Sequence, residues 1–329
     1  MIITQTPLRI GLLGGGTDLP GYYREHGGRV LNCALDKYVY VIVKQRFDED
    51  IYVNYSKKEI VSRVEDLEHE LVREAMQMTG VARGVEITTL ADIPSAGSGL
   101  GSSSAVTVGL LHALFAYQGR LVSAVELADR ACAIEIERCE KPIGKQDQYI
   151  TALGGIRDIR FGPGDPVVAE ELGLSSAERR VLQQQIMLFY TGVTRNATPI
   201  LAEQAANIKA TQAHLDLLRD LAGFAVDRLR SGDVDAVGAA VRESWEAKRK
   251  LASGVSTDQI DAAVARALGA GASGAKVTGA GGGGFLLVIC PMERQPAVRH
   301  ALADMPEMPV KLDRLGSRVV FNVLNDIWG

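Results

Sequence analysis

Residues 94–105 read PSAGSGLGSSSA, directly after a strand-like stretch at 85–90 (VEITTL). The same residues open an apolar segment, Ser102 to Gln118, that stops at Gly119 as a helix does. Glycines at 97, 99 and 101 permit close backbone approach and dihedrals closed to other residues. Ser102, Ser103 and Ser104 then place hydroxyls where a helix N-terminus presents unpaired N–H groups. Together these make a cradle for an anion, well suited to a triphosphate. The spacing is not GxGxxG, and no later acid completes a βαβ dinucleotide unit. GxxxxGK[ST] is also absent: Gly144-Lys145 lacks both the earlier glycine and the following hydroxyl residue. A flexible linker is the plain alternative, but linkers rarely join a strand to a long apolar helix.

The rest of the chain bounds what such a loop can serve. At 329 residues two domains are expected. Hydrophobic residues at 47% and charged residues at 23% suit a soluble globular protein. A net charge of −4 and only 5% aromatics argue against nucleic acid as partner. Glycine, 35 residues against a usual share of ~7%, is clustered and so marks particular backbone sites instead of disorder. Cys33, Cys132, Cys139 and Cys290 form no CxxC pair, and the five histidines are scattered. Zinc and a disulfide framework are therefore not expected, and a reducing compartment is. MIITQTPLRI carries no basic leader, and the longest apolar runs (YVYVIV, FLLVIC) are strand-sized. A cytoplasmic protein without a membrane partner is the expectation.

Residues 29–47, 51–55 and 85–90 read as strands, and 65–79 and 121–138 as helices. Turn-rich GPGDP (162–166) and the polar run 175–185 suggest a boundary, dividing the chain into 1–178 and 179–329. Beyond it come a strand at 186–190, helical segments at 199–230, 234–252 and 257–268, and strand-like residues at 310–323. Strands and helices alternate irregularly, which predicts an α+β fold and not a doubly wound parallel sheet. Two further glycine sites stand out. Residues 276–285, KVTGAGGGGF, have more glycines than a turn requires, which suggests a ligand touching the backbone. Residues 7–18, PLRIGLLGGGTD, run an apolar strand into three glycines and an acid.

Three such sites in this order resemble the GHMP kinase superfamily, named for galactokinase, homoserine kinase, mevalonate kinase and phosphomevalonate kinase. PLRIGLLGGGTD is similar to its first motif, PSAGSGLGSSSA to its second and KVTGAGGGGF to its third. The resemblance implies a two-domain α+β architecture: an N-terminal domain like the second domain of ribosomal protein S5, and a ferredoxin-like C-terminal domain. It also implies ATP, held by Pro94, Gly97, Gly99, Leu100, Gly101 and Ser102–Ser104, and magnesium. In GKQDQY, Asp147 matches the family's catalytic base. Ser103 matches one metal ligand, and Glu137 the other, with Glu135 as its alternative. Arg9 would stabilise charge near the transferred phosphoryl group, and Asp18 would bind sugar hydroxyls.

Where galactokinase has Glu-His before Thr-Asp, this chain has Gly15-Gly16 before Thr17-Asp18, leaving room for a different sugar. TPLRIGLLGGGTDLP, NCALDKYVYV, PIGKQDQY and TGVTRNAT together look most like the bacterial heptose kinases. That likeness implies phosphorylation of the anomeric hydroxyl of D-glycero-D-manno-heptose 7-phosphate, on the way to nucleotide-activated heptose. Thr191 and Arg195 match a substrate-facing segment, Lys145 is a second cation for the sugar phosphate, and Gly281 and Gly282 belong to the same face. A homodimer is left open. The rivals are a fucose- or galactose-type kinase, a decarboxylase of the same fold, and a non-catalytic sugar sensor.

Overall fold

The computed structural model describes residues 1–93, 97–164, 166–194 and 196–323. Pro94 and Arg195, both expected at the site, lie outside the described residues. The first half of the chain runs β1 (Ile2–Leu13), α1 (Pro20–His26), β2 (Gly28–Gln45), β3 (Ile51–Asn54), β4 (Lys58–Val61), α2 (Glu70–Thr79) and β5 (Val85–Ala91). It continues through α3 (Ser102–Tyr117), α4 (Ala124–Cys132), α5 (Gln146–Leu153), β6 (Ile156–Phe161) and β7 (Val167–Glu171). The second half adds α6 (Ser176–Gln185), β8 (Ile186–Tyr190), α7 (Thr198–Ala206), α8 (Gln212–Arg230), α9 (Val234–Lys248) and α10 (Asp258–Gly269). Then follow β9 (Gly274–Val277), β10 (Phe285–Ile289), α11 (Gln295–Ala301) and β11 (Arg318–Asn322).

The large sheet is ordered β11-β1-β2-β5-β3-β4, with β6 on the other part of β2 and β7 beyond β6. Among the described residues only β3 and β5 pair in parallel; the remaining ladders of this sheet are antiparallel. The long β2 reaches two neighbours on one edge, β6 over Gly28–Cys33 and β5 over Val39–Gln45. A second, antiparallel sheet is ordered β8-β10-β9. This is an α+β fold, as the irregular alternation predicts.

α3 runs through the core. Its Leu110, Leu111, Leu114 and Phe115 are fully buried, and its backbone closes on the sheet at Gly109, whose carbonyl accepts from Thr4 Oγ1 at 3.0 Å. A helix apolar on all sides must be enclosed, and each such side chain stabilises by roughly 1.5–3 kcal/mol. Its start, at the glycine loop, is therefore fixed against β1.

Three expectations change. The helix expected at 65–79 begins only at Glu70, because Val64–Asp66 form a separate 3₁₀ turn. The polar run 175–185 is α6, started by a Ser175/Glu178 capping box and buried through Leu182. Of the strand-like residues 310–323, only Arg318–Asn322 form a strand, and it pairs with β1. A division at 178/179 thus falls inside α6, and β11 returns to the first sheet. No helix among the described residues is long and apolar enough to cross a membrane.

Candidate active site

A cavity of about 390 Å³ lies between the two halves. One wall carries Arg9, Gly16, Asp18, the loop Gly97–Ser104, Glu135 and Asp147; the other carries Thr198, Gln204, Lys248, Gly279 and Ala280. Arg9 stands just after a register shift between β1 and β2, where the ladder moves from Pro7↔Tyr38 to Arg9↔Ala34. Such irregularities re-aim side chains. Its backbone N–H donates to Leu100 O at 2.9 Å, stitching β1 to the glycine loop. Its guanidinium donates to both Asp147 oxygens at 2.6 Å and to Gly99 O at 2.6 Å. One arginine therefore holds the loop and the acid together, in a charge-assisted fork only 4% exposed at Arg9.

α5 supplies more than Asp147. Successive residues of a first helical turn point about 100° apart. Gln146 donates to Asp18 Oδ1 at 3.0 Å, Asp147 meets Arg9, and Gln148 donates to Glu135 Oε2 at 2.7 Å. The approach is tight: a Cβ on Gly144 would stand 2.0 Å from Asp18 Oδ2. Asp18 is buried, and burial followed by repulsion from Asp147 raises its pKa.

The glycine loop is shaped for backbone contact. Gly99 has φ +73°, and a Cβ there would sit 2.7 Å from Thr278 O, so the second and third glycine motifs lie back to back. Gly101 caps α3 with φ 76° and no side chain, leaving its first N–H groups to a ligand. Beside it, Ser103 Oγ donates to Glu135 Oε1 at 2.5 Å, while Lys141 Nζ lies 3.3 Å from Ser103 Oγ and 3.7 Å from Glu135 Oε1. An ammonium thus occupies the place where a hydroxyl and a buried carboxylate offer oxygens to a cation. No cluster of three or more His, Cys, Asp or Glu side chains suited to a metal occurs among the described residues. Two oxygen ligands, completed by phosphate oxygens, fit magnesium better than a protein-only cage would. Burial raises the pKa of Glu135.

Family models for the GHMP kinases N terminal domain match residues 54–155, and for the GHMP kinases C terminal match residues 225–307. Together they cover more than half of the chain. The chain belongs to the GHMP kinases. A D-glycero-alpha-D-manno-heptose 7-phosphate kinase of Campylobacter jejuni is 29% identical over 300 residues, 87% of this GHMP kinase and 88% of the relative. An L-fucokinase/L-fucose-1-P guanylyltransferase of Bacteroides fragilis is also 29% identical, over 90% of this chain but 35% of the relative. The crystal structure of a D-glycero-D-manno-heptose 1-phosphate kinase from Bacteroides thetaiotaomicron superposes with a TM-score of 0.82 at 25% identity, covering 98% of this chain and 100% of that one.

Within this GHMP kinase, Arg9, Gly16, Asp18, Gly97, Gly99, Gly101, Ser102, Ser103, Ser104 and Asp147 all line the cleft. Glu137 does not: it is exposed, while Glu135, two residues earlier and roughly half a turn away, faces Ser103. Both sit in a π-helical turn, Ala133–Arg138, that extends α4. Thr17 is buried in the turn itself, its hydroxyl shared between Gly14 O and Arg29 O. Leu100 contributes its backbone to Arg9 and buries its side chain. Lys145 lies over the Tyr23 ring, outside the cleft lining. Thr191 and Gly282 line a different cavity, behind the third glycine loop. Gly281 packs on Val255, whose carbonyl a Cβ would approach to 2.4 Å. Most of that glycine run is required by neighbouring backbone; only Gly279 and Ala280 reach the cleft.

Gln204 and Lys248 are among the cleft residues that escape a motif reading. Gln204 is 2% exposed, donates to Ala280 O at 3.3 Å, and has a buried Oε1 without a hydrogen-bond partner. Lys248, at the end of α9, is buried with its Nζ 3.4 Å from Gly15 O; burial lowers its pKa to about 8. Nearby Lys276 is pushed well below the ordinary lysine value, by burial first and then by Lys248 and Arg9. The signal for Gln204 and Lys248 was a polar residue in the apolar phase of a helix: Ile200 to Gln204, and Val234, Val237, Val241, Trp245 to Lys248.

Proposed function

We propose that this chain is an ATP- and magnesium-dependent sugar kinase that phosphorylates the anomeric hydroxyl of D-glycero-D-manno-heptose 7-phosphate, yielding the 1,7-bisphosphate. The observation that carries the reading is the Arg9–Asp147 fork set between the Gly97–Ser104 loop and the buried Asp18. In this reading the loop N–H groups and Ser102–Ser104 hold the triphosphate, and Asp18, fixed by Gln146, receives sugar hydroxyls. Gln204 Oε1 accepts a further sugar hydroxyl, since a buried acceptor without a partner is costly until a ligand supplies the donor. The sugar oxygen attacks the γ-phosphorus, its proton passes to Asp147, and the bond to ADP breaks. Ser103 and Glu135 would hold magnesium, which would neutralise charge on the phosphates. Arg9 and Lys248 bring positive charge to the transferring group. The heptose assignment draws on the Campylobacter and Bacteroides thetaiotaomicron relatives.

The equal identity of the fucokinase relative favours a second reading, the same chemistry on an unphosphorylated sugar. An ADP-release assay across heptose 7-phosphate, heptose 1-phosphate, heptose, L-fucose and galactose decides between them. ³¹P NMR of the product then locates the new phosphate. Turnover of heptose 7-phosphate at least tenfold more efficient than of the rest supports the first reading. Preference for a neutral sugar replaces it with the second.

A further inference from the structure

Three arginines gather far along the chain from the catalytic motifs, where α6 meets the segment returning to the first sheet. Arg179 and Arg180 of α6 and Arg314 of that segment line a cavity of about 210 Å³, with Ser176 and Gln183. Three like charges around one hollow repel unless an anion sits among them. Arg179 is held in place, its side chain 12% exposed and its Nη2 3.4 Å from Glu171, yet its Nη1 is buried without an acceptor. Arg180 and Arg314 make no hydrogen bond or ion pair with the described residues. Of the nearby acids among the described residues, Glu171 reaches only Arg179, while Glu178 closes the capping box of α6 and Asp313 accepts from Tyr38 and Arg318. Because that capping box already occupies the start of α6, the cationic character comes from the guanidinium groups and not from the helix end.

We propose that Arg179, Arg180 and Arg314 form a binding site for a phosphate group, inorganic or carried by a small monoester. Planar guanidinium forks match a tetrahedral oxyanion, and a hollow of about 210 Å³ has room for a phosphate group. The site backs onto the catalytic helix. After Arg314 the chain packs on the end of α5: a Cβ on Gly154 would lie 2.1 Å from Leu315 C, and Ser317 N–H donates to Thr151 O at 3.0 Å. A bound phosphate would tie α6 to this segment, behind the helix that begins with Gln146 and Asp147. The inference does not depend on which sugar the cleft accepts.

The test is equilibrium dialysis of the full chain with radiolabelled inorganic phosphate at constant ionic strength. The cleft is first saturated with a non-hydrolysable ATP analogue, magnesium and sugar. The wild-type chain should retain one phosphate, and the doubly substituted Arg180→Ser/Arg314→Ser chain should bind it at least tenfold more weakly. Both residues are exposed, so the variant should keep its kcat without phosphate. Arg180→Lys/Arg314→Lys, which keeps the charges, should restore part of the binding and guards against misfolding of the serine variant. Glycerol phosphate and inorganic phosphate competing for the same site distinguishes an ester from the free ion. No phosphate retained by the wild type, or equal binding by the serine variant, overturns the proposal.

Discussion

At Asp147 the structure makes the side chain both an acid of the cleft and the partner of a buried arginine. Replacing it with Asn removes the proposed proton acceptor and half of the fork. We expect kcat to fall at least ~100-fold, the usual scale for loss of a general base, with ATP affinity measured by titration nearly unchanged. Wild-type turnover in this variant would remove Asp147 from the role. For the metal, Glu135→Gln should raise the magnesium concentration giving half-maximal rate, and Glu137→Gln should leave it unaltered, because only Glu135 meets Ser103. A shift in the Glu137 variant alone would reverse that assignment. Asp147, Arg9 and Ser103 were legible because each sits in a contiguous motif. Glu135 was harder, since neighbouring glutamates differ only in helical phase.

Helix phase also explains Lys248 and Gln204, whose polar side chains occupy apolar positions of α9 and α7. A residue that breaks an otherwise apolar stripe must find a polar environment, and here that environment is the cleft. The loop leading into α5 shows a different constraint. Gly144→Ala would drive a methyl group into the Asp18 carboxylate, so the loop must move and release both Asp18 and Gln146. We expect a raised KM for the sugar and a lowered Tm. Gly80→Ala makes the contrast: its φ is +79° with nothing within 4 Å, so it should cost only roughly 1 kcal/mol of backbone strain. Calorimetry and sugar kinetics on the pair check this; equal behaviour would contradict the conflict with Asp18, because Gly144 has no left-handed φ to strain. A long apolar run closed by a stop signal, as in α3, and a stretch rich in β-branched and aromatic residues, as in β2, matched their sequence reading. α2 began late, because a 3₁₀ turn carries the same apolar spacing into its first residues.

Across the whole molecule, function and stability oppose one another at Lys248. Its pKa falls from 10.5 in the unfolded chain to about 8 when folded. Between those values the unfolded chain binds a proton the folded one does not, so stability rises with pH across that window. Below about 8 the full cost applies, on the order of 3 kcal/mol. Lys248→Met should therefore raise Tm by a few degrees at pH 7 while lowering kcat, and its Tm advantage should shrink as pH approaches 10. A Tm gain that is flat with pH would contradict the buried charge. By itself, the sequence determined the α+β class, the glycine loop at the start of a buried helix and the acid of GKQDQY. These are local properties, because dihedral freedom, helix caps and apolar period are written over a dozen residues. Tertiary structure alone decided that the third glycine run serves mostly backbone packing, that Thr191 lines a second cavity and Lys145 turns onto the Tyr23 ring, and that the last described strand rejoins the first. Those outcomes depend on which surfaces meet across more than a hundred residues, and close packing between distant segments leaves no periodic trace in the chain.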